Sequence, residues 1–148
     1  MTTFFVPGVP TPQGSKKYMG HRKGKPLLLE SAKGLPNWRK AVRQAAHEHL
    51  SRDAALYPTQ AMHLDLEFVM PRPKYAIGKS LPAVKRPDLD KLVRAVLDSL
   101  SKVLYGDDNQ VTDMRVGKHL AGPDETVGVH ITYRLDVRHL DGAEEAAA

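Results

Sequence analysis

The chain has 148 residues, no cysteine and a formal net charge of +5. That length supports one modest core, and the lack of cysteine excludes disulfides and thiolate zinc sites and fits a reducing cytoplasm. The opening MTTFFVPGVP has no basic region followed by an apolar run, and no stretch approaches the roughly 18 apolar residues of a membrane span, so a soluble, unexported protein without membrane contact is expected.

In chain order, Thr3 to Val6 is a short β-branched and aromatic run closed by Pro7, Gly8 and Pro10, which reads as a strand entering a loop. From Thr11 to Leu35 the chain is rich in Gly, Pro, Ser and Lys and is expected to be an irregular basic segment that an anion would order. Pro36 and Asn37 open a helix, marked by Trp38, Val42, Ala45, Ala46 and His49 and ending near Leu50. Met62, Leu64, Leu66, Phe68 and Met70 alternate with His63, Asp65 and Glu67, the pattern of a half-buried strand. After a loop from Pro71 to Lys85, Leu89, Leu92, Val93, Val96, Leu97, Leu100, Val103 and Leu104 mark an amphipathic helix. Two strands follow, Val111 to Leu120 and Val127 to Tyr133, separated by a Gly122-Pro123-Asp124 turn and expected to form a hairpin. The order β-α-β-α-β-β predicts a mixed α/β (α+β) fold, a small mixed sheet with two main helices packed on it. Residues 1–140 are read as one domain, and the periodicity-free 141–148 as a frayed tail.

Charge is unevenly distributed. Residues 1–50 hold nine Lys or Arg against Glu30 and Glu48, whereas residues 87–113 hold six Asp against Lys91, Arg94 and Lys102. A basic frame thus surrounds an acidic patch, compatible with a polyanion partner or with an ordinary solvated surface.

Within the acidic patch, Asp88-Leu89-Asp90 stands at the opening of the second helix. Acids in a first helical turn complement the helix dipole, so the pair alone is explained by capping. The two carboxylates converge on one ion only if Asp88 is still extended before the helix, a geometry Pro87 favours. Past the helix, Tyr105-Gly106-Asp107-Asp108-Asn109-Gln110 makes a polar turn that an Asx motif would explain. A strand starting there returns alongside the helix and can bring Asp107 or Asp108 toward the first pair. Carboxylate oxygens suit Mg²⁺, which in nucleases activates water and stabilises charge on phosphate. Asp90, Arg94 and Asp98 share one helix face at spacings of four, so Arg94 is either a transition-state cation or an ion-pair partner of those acids. The seven histidines show no ligand spacing and receive no chemistry.

The joint pattern, Arg86-Pro87-Asp88-Leu89-Asp90, then Asp98, then Asp107-Asp108-Asn109-Gln110-Val111, with Pro10-Thr11-Pro12-Gln13-Gly14-Ser15-Lys16 in support, resembles the RusA family of Holliday junction resolvases, often of phage or prophage origin. The resemblance is strong over residues 85 to 119. It implies a homodimeric, Mg²⁺-dependent endonuclease making paired nicks in four-way DNA during recombination and repair, in the cytoplasm of a bacterial host. By motif position Asp88, Asp90 and Asp108 match the family's metal-binding acids. Two positions depart: Lys91 stands where Asn is frequent, and Arg94 where a catalytic Lys is frequent. Arg keeps the charge but cannot release a proton, so electrostatic stabilisation survives the change and a general-acid role does not. Lys16, Lys17, Arg22 and Lys23 in the basic segment, with Lys85, Arg86 and Lys118 bordering the acids, are the expected DNA-backbone contacts. Two alternatives remain open: a non-catalytic nucleic-acid-binding module whose acids only cap and turn, and a sugar-nucleotide transferase, for which the chain is short.

Overall fold

A computed structural model describes residues 2–14, 16–22, 25–30, 33–51 and 55–139, with the backbone alone over 16–22 and 25–30. The tail assigned to 141–148 lies outside the described residues, as does Lys23.

Strand β1 (Thr2–Pro7) is followed by two strands, β2 (Lys16–Arg22) and β3 (Lys25–Glu30), that pair antiparallel with each other in a separate two-stranded sheet. This corrects the expectation of an irregular segment: a Lys- and Gly-rich stretch lacks apolar alternation, yet two extended backbones satisfy each other's hydrogen bonds without it. Helix α1 (Leu35–Leu50) begins after Gly34 in the left-handed region, with φ 81°, has a proline in its first turn, and ends at a left-handed Ser51 whose N–H returns to the His47 carbonyl at 2.8 Å. It buries Leu35, Trp38, Val42 and Ala46. Strand β4 (Met62–Met70) runs with Leu64, Leu66 and Phe68 fully enclosed. Helix α2 (Leu89–Leu100) stops four residues earlier than its apolar stripe suggests. Ser101 turns extended and Lys102 left-handed, while Val103 and Leu104 stay buried from the turn that follows.

Strands β5 (Val111–Leu120) and β6 (Gly128–Leu135) do not form the expected hairpin. The main sheet has the order β1-β6-β4-β5, in which β4 pairs parallel with β5 and antiparallel with β6. The reason is burial. β4 is the most apolar strand, and the centre of the sheet protects both its edges, so β5, returning through α2, takes one side and β6 takes the other. The helices pack on the sheet in a mixed α+β arrangement, and one core joins Val6, Leu64, Leu66, Phe68, Val129 and Ile131 to Trp38, Val42, Leu92, Val96 and Leu100. No helix of the described residues is long and apolar enough to cross a membrane.

Candidate active site

The acidic residues are carried by the two ends of α2 and by the turn that leaves it. Asp88 is extended, with φ −69° and ψ 141°, and immediately precedes the helix; its side chain makes no capping hydrogen bond. Pro87 therefore lies one residue outside the helix rather than in its first turn, and capping does not consume the Asp88 carboxylate. Its only ion pair among the described residues is with exposed Lys91, at 3.6 Å. Asp90 follows in the first turn and is exposed. Arg94 is exposed too, and forms no ion pair with Asp90 or Asp98 among the described residues, so its charge is not spent along the helix.

The segment that delivers Asp88 is braced from the sheet. Lys118 on β5 donates from Nζ to the carbonyls of Lys85 at 2.9 Å and Pro87 at 2.8 Å. A residue expected to touch DNA is thus engaged in holding the strand of chain before Asp88; Lys85 and Arg86 remain exposed beside it. The side chains of Lys16, Lys17 and Arg22 lie outside the described residues.

At the far end of α2 the turn is built by side-chain to backbone bonds. Asp107 accepts from the Asp108 N–H at 2.8 Å, and Gln110 Oε1 accepts from Gly106 at 2.7 Å and Asp107 at 2.9 Å. Together these form a capping box on the short 3₁₀ turn Asp108–Gln110. Gln110 Nε2 then ties the turn to the carbonyls of Tyr57 and Gln60, both at 2.9 Å. Gly106 is required: a Cβ there would stand 2.6 Å from the Pro58 carbonyl oxygen. The Asx reading of this turn therefore holds for Asp107, and the Asp108 side chain takes no part in the cap.

Asp108 is pushed above the usual carboxylate range, first by desolvation, then by Asp107 and by Asp98. Tyr105, fully buried with its hydroxyl donating to the Leu97 carbonyl at 2.7 Å, is also pushed up, by burial first and then by Asp108, Asp98 and Asp107. Three acids therefore share one field. Asp98 is the member that motif reading passed over as a site residue; its spacing from Asp90 was the available signal. It is reached by Gln13, whose N–H donates to the Lys91 carbonyl at 3.0 Å and whose Nε2 donates to Asp98 Oδ2. The Gln13 Oε1 is buried and has no partner.

Asp108 thus stands against Asp98 and Asp107. Asp90 is eight residues before Asp98, roughly 12 Å along the helix axis at 1.5 Å per residue. Among the described residues no three acids or histidines stand close enough to enclose an ion. The chemistry of the donors nonetheless suits a hard cation: carboxylates, an orphaned amide oxygen beside Asp98, and mutual repulsion that a cation would relieve.

A groove of about 750 Å³ opens beside Asp88, walled by Pro10, Pro12, Tyr75 and Val84 and rimmed by Arg86 and Lys91. Away from this site, histidines that the sequence left without chemistry are paired. His63 Nδ1 meets Asp113 Oδ2 at 2.8 Å, and His119 lies between Glu67 at 2.6 Å and Glu125 at 2.8 Å. Asp136 binds Thr112 at 2.5 Å and Arg138 at 2.8 Å.

A curated protein from Bacillus subtilis (strain 168), described as "Uncharacterized protein YqaN", is 28% identical over 125 residues, covering 78% of this chain and 84% of that protein. The family model described as "Endodeoxyribonuclease RusA" matches residues 7–132, a span that takes in Gln13, both ends of α2 and the acidic turn. The chain belongs to the RusA endodeoxyribonuclease family.

Proposed function

We propose that this protein is a Mg²⁺-dependent endonuclease that resolves four-way DNA junctions by paired nicking in recombination and repair, and that it works as a homodimer. The observation that carries the reading is the acidic turn: within an endodeoxyribonuclease family, Asp107 caps the turn while the Asp108 side chain takes no part in the cap and stands against Asp107 and Asp98, its pKa raised by desolvation first and then by those two acids. By motif position Asp88, Asp90 and Asp108 are the acids proposed to hold the metal, which would require the Asp88–Asp90 end of α2 and Asp108 to approach more closely than the roughly 12 Å of helix between Asp90 and Asp98. Mg²⁺, when bound, polarises a phosphate oxygen and lowers the pKa of attacking water.

The remaining work falls to the chain itself. Lys118 holds the Lys85–Pro87 segment and so fixes where Asp88 emerges. Gln110 anchors the turn that presents Asp108. Exposed Arg94, which forms no ion pair among the described residues, is available to meet negative charge developing on phosphate. Lys85 and Arg86, with Lys16, Lys17, Arg22 and Lys23 of the basic segment, are proposed to neutralise the DNA backbone around acids that would otherwise repel it. Because one site cuts one strand, two cuts related by two-fold symmetry call for two sites, which a symmetric dimer supplies.

The test is cleavage of a labelled four-way junction and a matched duplex with and without Mg²⁺, together with calorimetric Mg²⁺ titration of the wild type and Asp90→Asn. Loss of both cutting and metal heat in the variant, with DNA binding retained, is expected; Asp90→Asn cutting at the wild-type rate sinks the assignment. Light scattering decides the dimer, and a species that is monomeric with and without DNA rules it out.

A further inference from the structure

The helix packed beside α2 carries a cationic stripe. On α1, Arg39 and Arg43 share one flank at a spacing of four, and Lys40 stands next to them on the outer side. Lys40 and Arg43 are exposed and Arg39 is half-buried. The buried stripe of the same helix, Leu35, Trp38, Val42 and Ala46, faces the core, so these cations point away from it. Arg43 is also the clasp between the two helices, donating from Nε to the Ser99 carbonyl at 3.2 Å. Ser99 adjoins Asp98, which places the stripe next to the acidic end of α2.

Two observations separate this stripe from an ordinary solubilising face. None of Arg39, Lys40 and Arg43 forms an ion pair among the described residues, although exposed Glu48 lies on the same helix and carboxylates crowd the neighbouring one. The three also border a shallow groove of about 750 Å³ with Pro36, Gln44 and Glu48, in which the three cations outnumber the one acid. Cations held beside a like-sign neighbour and left unpaired create a focused positive potential, and its complement is a polyanion. Arg39 and Arg43 are about 6 Å apart along the helix, and one DNA strand presents a phosphate every 3.4 Å or so of axis, so the stripe spans about two phosphates. Arg43 uses one of its five N–H donors on Ser99 and keeps the others for phosphate oxygens.

We infer that α1 is a second backbone-binding surface, on which Arg39, Lys40 and Arg43 grip the phosphates of the duplex arm leading away from the acids at Asp98 and Asp108. The inference rests on the nuclease reading above and deepens it by saying where the substrate runs beyond the cut. It assigns to α1 a role in binding duplex, with no part in the chemistry.

The test is the salt dependence of binding. Affinity for a four-way junction with long arms is measured in metal-free buffer across a range of salt for the wild type, Arg39→Ala/Lys40→Ala, the charge-preserving Arg39→Lys/Lys40→Arg, and a charge-matched control, Lys74→Ala/Lys79→Ala. Circular dichroism establishes that each is folded. Two lost phosphate contacts should lower the log–log slope by about 1.8, at about 0.9 per contact, with the charge-preserving variant keeping the wild-type slope. A slope for Arg39→Ala/Lys40→Ala that equals the wild type, or falls no more than in the control, overturns the inference. So does an equal loss of affinity for single-stranded RNA, which would mark an unselective cationic face. Failure of the wild type to cut any DNA with Mg²⁺ would instead strike the nuclease reading, and the slope comparison would still decide the α1 surface.

Discussion

Lys118 offers the sharpest test, because its charge has two incompatible uses. Replacing it by Met keeps the aliphatic stem and deletes the ammonium that bonds the Lys85 and Pro87 carbonyls at 2.9 and 2.8 Å. Hydrogen bonds to a charged group contribute about 1.5–3 kcal/mol each when enclosed. Here Lys118 is half-buried and Lys85 exposed, so water replaces much of what is lost and the total falls to about 1–2 kcal/mol. For a chain of this size that is a drop of about 3–6 °C in Tm. The functional effect should exceed the stability effect, because the freed segment delivers Asp88, and a misplacement of about 1 Å in a reacting constellation costs on the order of 100-fold in rate. Single-turnover cleavage of a labelled junction should therefore slow by about 10- to 100-fold in Lys118→Met, with the salt slope of DNA binding unchanged. Lys118→Arg, which keeps the charge but places its donors on a longer planar fork, should keep the slope and recover only part of the rate. A Lys118→Met protein that cuts at the wild-type rate while its slope falls by about 0.9 would show a plain phosphate contact and refute the bracing argument.

Asp136 is the site of an acid-sensitive stability term: Arg138 and Thr112 hold its buried carboxylate well below the usual range, so its contribution is present above about pH 4 and lost as pH falls from there. Asp136→Asn should cost about 2 kcal/mol at neutral pH in urea denaturation, with the gap to the wild type closing below about pH 4; a gap independent of pH would contradict this. His119 works in the opposite direction. Burial alone lowers it, but the Glu67 and Glu125 hydrogen bonds outweigh burial and raise it, so its stabilisation is full below about pH 6.5 and lost as pH rises through the elevated value. His119→Gln should abolish that part of the pH dependence, read by thermal unfolding between pH 6 and 9, a range of about three units around the free histidine value. Asp98→Asn should bring the Asp108 titration downward in a carboxyl NMR experiment without metal, because one of the like charges is gone; an unmoved Asp108 would show that Asp98 does not act on it.

Both main helices and all four strands of the main sheet were legible in the sequence, because periods of 3.6 and 2 are written by neighbours along the chain: Trp38, Val42 and Ala46 for α1, Leu64, Leu66 and Phe68 for β4. That Asp88 and Asp90 stand at the opening of a helix, and Asp107 and Asp108 in a turn after it, was legible as well, since a proline before the helix and a Gly-Asp-Asp turn after it are local signals. What the sequence could not decide was who meets whom. β5 and β6 read as a hairpin because they are adjacent and joined by a turn, but β4 takes the place between them, and that choice depends on competition for burial among strands far apart in sequence. The pairing of β2 with β3 has no apolar alternation to announce it, only backbone complementarity. The same limit governs the site. That Asp107 is spent as a cap and Asp108 is not, that Gln13 crosses α2 to reach Asp98, and that Lys118 holds a loop 31 residues upstream are contacts between distant segments. A side chain's charge is fixed by its own residue type, but whether that charge is free for a ligand or consumed by the fold is set by the groups tertiary packing brings beside it.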